Sequence, residues 1–230
     1  MKTLGIITAS FRRQKILTLW CASIERIRRD VPCVLPVVVV SGKEDRSICA
    51  NHNVYHIDFN NFPISEKFNR GMQWAKGNGV DYAMVSGSDD IFSTDTIRRI
   101  ISEMEKGYSV IGIDSIYFYS TEGIHKGKLC RLYGQRILGV GKTISKEVLE
   151  RVDYRPWGVN KNWGLDALVT QSIAPYIRSE SVLSDTVVVD CKGKDNINKA
   201  RLWFKKLPMI DPNIFYDILG EEEKQILKTI

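Results

Sequence analysis

Residues 82–92 read Tyr-Ala-Met-Val-Ser-Gly-Ser-Asp-Asp-Ile-Phe, an apolar strand pattern that ends on two adjacent carboxylates, Asp89 and Asp90. In chains that alternate strands and helices, ligands bind at the carboxyl ends of the parallel strands. Neighbouring Asp side chains are also well suited to hold a hard divalent cation beside a phosphate. The segment therefore predicts a ligand or metal site at the edge of a parallel sheet.

The first half of the chain alternates between strand and helix patterns. Apolar residues recur at helical spacing from Ile16 to Ile27, and a β-branched run follows at 35–40. We predict strands at 4–8, 35–40, 53–59 and 82–85, and helices over 16–29, from a cap at Ser65 to Gly77 and from a cap at Ser93 or Thr94 to Gly107. This alternation predicts an α/β fold with a doubly wound, mostly parallel sheet flanked by helices.

The second half of the chain is less regular. Strand patterns occur at 109–119, 129–138 and 187–190, and helix patterns occur at 145–152, 165–173 and within 211–230. The sequence contains neither a low-complexity stretch nor a recognisable linker. We therefore predict a single domain over 1–230, with a first half at 1–107, a second half at 108–206 and a C-terminal helical tail at 207–230.

The composition is typical of a soluble globular protein, since 43% of the 230 residues are hydrophobic and 26% are charged. The longest apolar run, at 34–40, is too short to span a bilayer, and the first residues lack a signal-peptide pattern, so we expect a cytoplasmic protein. The five cysteines are scattered without a Cys-x-x-Cys pair, which argues against a zinc site or a disulfide framework. A net charge of +6 suits an anionic partner such as a nucleotide or nucleic acid.

Three motifs, in this order, resemble the GT-A fold of nucleotide-sugar glycosyltransferases. They are the Thr-Ala-Ser loop at 8–10, the block Lys-Phe-Asn-Arg-Gly-Met-Gln-Trp-Ala-Lys-Gly at 67–77, and the acidic strand end Ser-Asp-Asp at 88–90. The resemblance extends over residues 3–195. It departs from the family at one point, because the first carboxylate of the usual Asp-x-Asp motif would fall on Gly87 or Ser88.

The resemblance implies that residues 1–107 bind a nucleotide sugar, with a UDP-sugar as the first expectation, and that 108–206 bind the acceptor. The donor-binding residues that it implies are Thr8, Ala9, Ser10, Arg12, Asp45, Lys67, Asn69, Ser88 and Asp89. Asp89 and Asp90 would hold Mn²⁺ or Mg²⁺, and Lys192 and Lys194 would contact phosphate. Asp190 or Asp195 would supply a further metal contact.

Asp166 is the general base that the resemblance implies. It follows an aromatic, glycine-rich loop and resembles the family's acidic residue at a helix start facing the acceptor. A carboxylate in that place would take the proton of the acceptor hydroxyl in an inverting displacement. Trp157 and Trp163 would then flank the acceptor, because sugars and bases both stack on indole rings.

The sequence leaves the acceptor open. One candidate is a 5-hydroxymethylated base in double-stranded DNA, the acceptor of some phage enzymes, with the basic stretch 192–206 against the duplex. A polysaccharide, lipopolysaccharide or protein acceptor is the alternative. A nucleotidyltransferase is disfavoured because the loop at 8–13 contains no glycine, and a non-catalytic nucleic-acid-binding protein would leave the acidic strand end unexplained.

Overall fold

The computed structural model describes residues 1–134, 136–158, 160–193 and 203–230. The strands in this part of the chain are β1 (Leu4–Ser10), β2 (Val34–Val40), β3 (Tyr55–Asp58), β4 (Tyr82–Val85), β5 (Asp90–Phe92), β6 (Val110–Ile113), β7 (Ser115–Ser120), β8 (Leu129–Tyr133), β9 (Thr143–Ser145), β10 (Glu180–Leu183), β11 (Val188–Lys192) and β12 (Met209–Ile210). The helices are α1 (Gln14–Asp30), α2 (Lys43–Asn51), α3 (Ile64–Gly77), α4 (Thr94–Lys106), α5 (Lys146–Arg151), α6 (Leu165–Ile173), α7 (Asn213–Tyr216) and α8 (Glu221–Thr229). None of the helices described is both long and apolar enough to cross a membrane.

The larger sheet has the strand order β10-β6-β9-β4-β1-β2-β3. Strands β4, β1, β2 and β3 are parallel to one another, whereas β9 runs antiparallel to both β4 and β6. The β-branched strand β2 is covered on both faces, because Val38 packs in the cluster that contains Trp20 of α1 and Val37 packs with Met72 of α3. The predicted mostly parallel sheet with helices on both sides is confirmed.

A second sheet has the order β12-β8-β7-β11-β5 and was not predicted as a separate sheet. Its short strand β5 begins at the second carboxylate of the acidic pair. Strand β11 runs antiparallel to β5, with Asp190 directly opposite Asp90. The pairing therefore brings a residue that is 100 positions later in the sequence to the acidic strand end.

One of the predicted helix caps is confirmed and another is wrong. Ser93 caps α4, since its side chain accepts a hydrogen bond from the Thr96 backbone amide, and Gly107 ends the helix with a left-handed φ of 87°. The predicted cap at Ser65 is wrong, because α3 begins one residue earlier, at Ile64. The Ser65 hydroxyl instead accepts a hydrogen bond of 2.9 Å from the Lys161 backbone amide, which joins α3 to the loop before α6.

Candidate active site

A cavity of about 680 Å³ opens at the carboxyl ends of β1 and β4. Ten of the predicted site residues line it, namely Ala9, Ser10, Lys67, Ser88, Asp89, Asp90, Trp157, Asp166, Asp190 and Lys192. Five described residues that we had predicted do not line it, namely Thr8, Arg12, Asp45, Asn69 and Trp163. The predicted contacts at Lys194 and Asp195 lie outside the described residues.

Three carboxylates form an acidic cluster on one side of the cavity. Each of Asp89, Asp90 and Asp190 offers a carboxylate oxygen, and these oxygens lie within 4.8 Å of one another. A Cβ atom at Gly87 would lie 2.7 Å from an oxygen of Asp89 and 3.0 Å from an oxygen of Asp90. Gly87 therefore has no room for a carboxylate of its own, and Asp190 provides from a second strand the group that the local motif lacks.

The charges around the acidic cluster suit a divalent cation. Burial and the Asp89 charge raise the pKa of Asp90 to about 7, and the same two causes raise the pKa of Asp190 well above its ordinary value. Burial alone would also raise the pKa of Asp89, but the Arg13 and Lys192 charges outweigh it and hold that pKa at about 2.

One oxygen in the acidic cluster also receives no hydrogen bond from the described residues. Oδ1 of Asp190 is buried and has no hydrogen-bond partner in the described part of the chain. An all-oxygen donor set with excess negative charge is the kind that Mg²⁺ and Mn²⁺ prefer. The three carboxylates therefore fit the metal that the sequence resemblance implies.

Two basic side chains flank the acidic cluster. Arg13 donates from Nη2 to Oδ2 of Asp89 at 2.9 Å and from Nη1 to the Ser88 hydroxyl at 3.2 Å. Lys192 forms an ion pair with Asp190. All of these side chains line the cavity, so an anion bound there meets two cations beside the carboxylates.

Arg13 occupies the place that we had predicted for Arg12. Arg12 has a left-handed φ of 53°, and its guanidinium lies 4.9 Å from the ring centroid of the neighbouring Phe11, on the exposed side of the loop. The sequence shows two adjacent arginines before α1, but only the backbone turn at the first decides that the second enters the cavity.

Lys67 lines the cavity at the end of β1. Its ammonium donates to the Ser10 carbonyl oxygen at 2.7 Å and to the Ser41 hydroxyl at 2.8 Å. Burial lowers its pKa to about 8, although the nearby Asp45 carboxylate raises it in part. Asp45 is itself buried behind Lys67, and this burial raises its pKa despite the Ser10 hydroxyl and the Lys67 charge. The predicted donor residue Asp45 therefore supports Lys67 from behind the cavity.

Two other predicted donor residues, Thr8 and Asn69, are buried in the fold and do not line the cavity. Thr8 lies inside β1, which extends to Ser10, and it is fully buried opposite Val38 of β2. The Asn69 amide donates to the Trp157 carbonyl oxygen at 2.9 Å and accepts from the Trp157 backbone amide at 3.3 Å. Asn69 therefore holds the loop that leads to α6 and has no surface on the cavity.

Asp166 lies in the first turn of α6 and lines the cavity. Its carboxylate packs so closely on Gly139 that a Cβ atom added there would lie 2.0 Å from Cγ of Asp166. Trp157 is buried and donates from its indole to the Leu165 carbonyl oxygen at 3.1 Å, which secures the start of the same helix. Trp163 is 74% exposed and lies outside the cavity, where Lys161 covers its ring.

An apolar wall completes the cavity and was missed in the sequence. Strands β7 and β8 pair so that Ile116 lies opposite Leu132, and Phe118 shares their face of the second sheet. Trp203 stacks on Phe118 with ring centroids 4.8 Å apart. The six lining side chains that form this apolar wall are Ile116, Phe118, Leu132, Leu138, Val140 and Trp203. Period-two alternation at 115–120 was the available signal, but it does not show which face meets the cavity.

Solved structures of glycosyltransferases have the same fold. The S. aureus TarS fragment 1–349 in complex with UDP-GlcNAc is 16% identical, with a TM-score of 0.67 over 99% of this chain and 70% of that chain. The Pyrobaculum calidifontis mannosyltransferase PcManGT in complex with GDP-Man and Mn²⁺ is 12% identical, with a TM-score of 0.62 over 84% of this chain and 58% of that chain. No protein-family model and no curated protein sequence matches the chain. At these identities the likeness shows a shared GT-A-like fold.

Proposed function

We propose that the protein is an inverting glycosyltransferase that moves a sugar from a nucleoside-diphosphate sugar to an acceptor hydroxyl. The observation that carries this proposal is that one cavity contains both the acidic cluster with its two cations and the separate carboxylate of Asp166. Transfer of a sugar needs both functions, because the leaving diphosphate gains negative charge while the attacking hydroxyl loses a proton.

The donor would lie along the β1 and β4 ends. The chemistry that a divalent cation supplies when it is bound to Asp89, Asp90 and Asp190 is neutralisation of the charge on the leaving diphosphate. Arg13 and Lys192 would contact the same oxygens from either side. Ser10 and Lys67 line the cavity at the end of β1, where they suit the nucleotide.

Asp166 would act as the general base. It stands apart from the acidic cluster in sequence and on a different element, and it is exposed to the cavity. A carboxylate at this position would take the proton from the acceptor hydroxyl as the oxygen attacks the sugar carbon. Attack from the face opposite to the leaving diphosphate inverts the configuration at that carbon.

We propose a hydroxymethylated base in double-stranded DNA as the acceptor to test first. The apolar wall suits a flat ring, since its six side chains carry only one polar atom, the indole N–H of Trp203. Four lysines are exposed on two segments, with Lys126 and Lys128 on one and Lys205 and Lys206 on the other. His125 stacks on Phe204 and so brings the two segments together. Such lysines suit a phosphate backbone. The basic stretch that we had assigned to the duplex is described at 192–193 and 203–206. A polysaccharide acceptor is the alternative.

A donor screen tests the proposed reaction. Purified protein is incubated with UDP-glucose, UDP-GlcNAc or GDP-mannose and Mn²⁺ or Mg²⁺, and release of the nucleoside diphosphate is measured. We expect metal-dependent release from one of these donors, with a loss of about 100- to 10,000-fold in Asp166→Asn. Equal release by Asp166→Asn and the wild type would remove Asp166 as the base, and no release from any donor would contradict the proposed function.

A second assay separates the two acceptor classes. Duplex DNA with 5-hydroxymethylcytosine is compared with the same duplex with unmodified cytosine and with a soluble polysaccharide, in the presence of the donor found in the screen. We expect sugar incorporation only into the modified duplex, with an affinity that falls as salt rises because counterions are released. Incorporation into the polysaccharide alone would exclude the DNA acceptor and leave the glycosyltransferase proposal intact.

A further inference from the structure

Lys142 is a buried cation outside the acidic cluster. It lies at the end of the loop between β8 and β9 and is only 3% exposed. Burial lowers its pKa, and the Asp166 and Glu180 carboxylates counter that effect in part. A buried lysine is costly unless it serves a bonded partner, so its partner indicates its role.

The partner of Lys142 is Thr170, one turn after Asp166 on α6. The Lys142 ammonium donates to the Thr170 hydroxyl, and this hydroxyl donates to the Asp166 carbonyl oxygen at 2.7 Å. The ammonium, hydroxyl and carbonyl form a chain of three groups that ends on the backbone of Asp166. The same helix turn is therefore tied to the loop that precedes β9.

The side chain of Asp166 is fixed by the same loop from its other side. Its carboxylate rests on Gly139, where a Cβ atom would overlap it, and the Gly139 carbonyl oxygen accepts a hydrogen bond from the Lys142 amide at 3.3 Å. This turn, residues 139–142, is joined to the end of β4. Gly141 donates to the Val85 carbonyl oxygen at 2.9 Å, and Val85 donates to the Lys142 carbonyl oxygen at 3.0 Å.

We infer that Lys142 is a positioning residue, which holds Asp166 at a set place relative to the acidic cluster. The inference rests on the proposed function, in which Asp166 is the base. Val85 is the last residue of the strand that runs into the acidic pair, so the 139–142 turn ties Asp166 to the strand that presents Asp89 and Asp90. A carboxylate displaced by about 1 Å can lose about 100-fold in rate without any loss of substrate binding.

The test uses four variants. Thr170→Val and Lys142→Met remove the contact, and Thr170→Ser and Lys142→Arg are the conservative controls. Thr170 is exposed, so valine removes the hydroxyl at nearly constant volume without disturbing the core, and serine retains it. We expect Thr170→Val and Lys142→Met to lower kcat for nucleoside diphosphate release by about 10- to 100-fold with KM for the donor unchanged. Thr170→Ser and Lys142→Arg should restore most of the rate.

Crystal structures of the wild type and Thr170→Val give a readout that needs no substrate. We expect the Asp166 carboxylate to leave Gly139 in the variant while Asp89, Asp90 and Asp190 stay in place. Wild-type kcat in both loss variants, or an Asp166 side chain that stays on Gly139, would overturn the positioning role. If Asp166→Asn retains full turnover, the base assignment is overturned and the inference with it. A loss that matches the fraction of unfolded protein would show a structural role only.

Discussion

The two walls of the cavity differ in chemistry and in how the chain builds them. The wall at which we propose that the donor binds, called the donor wall, consists of strand ends and helix starts around the larger sheet, and it presents charged groups such as Arg13, Lys67 and Asp89. The opposite wall is a face of the second sheet and presents apolar side chains such as Ile116 and Phe118. The difference teaches that Arg13, Lys67 and Asp89 depend on positions next to strand ends, whereas the apolar wall and the third carboxylate, Asp190, depend on strand pairing in the second sheet.

Asp190 lies on β11 of the second sheet but belongs to the acidic cluster, and its substitution has the largest expected effect among the variants that compare the two walls. Asp190→Asn keeps the size of the side chain but removes one carboxylate from the acidic cluster, so we expect turnover to fall by about 100- to 1,000-fold. The dependence on Mn²⁺ should also move to higher concentrations. Nucleoside diphosphate release as a function of Mn²⁺ concentration measures both changes.

A matched control for Asp190→Asn lies in the loop between β10 and β11. Asp185 lies outside the cavity, has a left-handed φ of 54° that asparagine accepts, and is largely exposed. We expect Asp185→Asn to behave as the wild type in turnover and in metal dependence. Wild-type turnover in Asp190→Asn would show that the acidic cluster works with the local pair alone.

Two glycines allow each wall to be disturbed separately. Gly87→Ala would push a methyl group against Asp89 and Asp90, and Gly139→Ala would push one against Asp166. We expect Gly87→Ala to weaken donor binding by about 10- to 100-fold, and Gly139→Ala to lower kcat by a similar factor with unchanged donor affinity. Calorimetric donor titrations and initial rates measure the two quantities.

The two glycine variants would contradict the division between the walls if each one changed the quantity that we expect the other to change. Loss of donor affinity in Gly139→Ala, or unchanged affinity with slow turnover in Gly87→Ala, would mean that the walls do not divide the reaction as proposed. Thermal unfolding of both variants serves as the control, because both substitutions crowd a half-buried glycine and each is expected to lower stability by a comparable amount.

The smallest effect concerns stability on the donor wall. The pKa of Lys67 is lowered to about 8 by burial, so between pH 8 and its ordinary pKa of 10.5 the unfolded chain binds more protons than the folded chain. Wild-type stability should therefore rise relative to Lys67→Met as pH increases through this window, by on the order of 1 kcal/mol. Urea unfolding at pH 7 and pH 10 measures the difference in free energy of unfolding between the two proteins. The same difference at both pH values would contradict a lowered pKa at Lys67.

The donor wall could largely be predicted from sequence. Residues 82–92 and the strand patterns before them place Ser10 and Asp89 after neighbouring strands, because parallel strands present their carboxyl ends at one edge, and the helix pattern before β4 contains Lys67. The misassignments here are local. The sequence predicts that the first strand ends at Thr8, whereas β1 extends to Ser10 and buries Thr8. It predicts Arg12 and not Arg13 in the site because a single left-handed residue leaves no signal in the sequence.

The other wall could not be predicted in the same way. The pairing of β11 with β5 depends on register between residues 100 positions apart, and a shift of one residue would turn Asp190 away from Asp90. The resemblance implies Asp166, but its contact with Gly139 and the hydrogen bond from Lys142 to Thr170 arise from packing between the 139–142 turn and α6. Neither contact leaves a periodic signal in the sequence.

The most direct test of the central claim is anomalous X-ray diffraction from crystals of the protein soaked with MnCl₂ and UDP. We predict one Mn²⁺ peak bound by carboxylate oxygens of Asp89, Asp90 and Asp190, with the diphosphate in the cavity beside Arg13 and Lys192 and with Asp166 free of metal. Absence of a peak at these carboxylates, or a nucleotide bound outside the cavity, would contradict the claim that the acidic cluster and Asp166 are the two sides of a single sugar-transfer site.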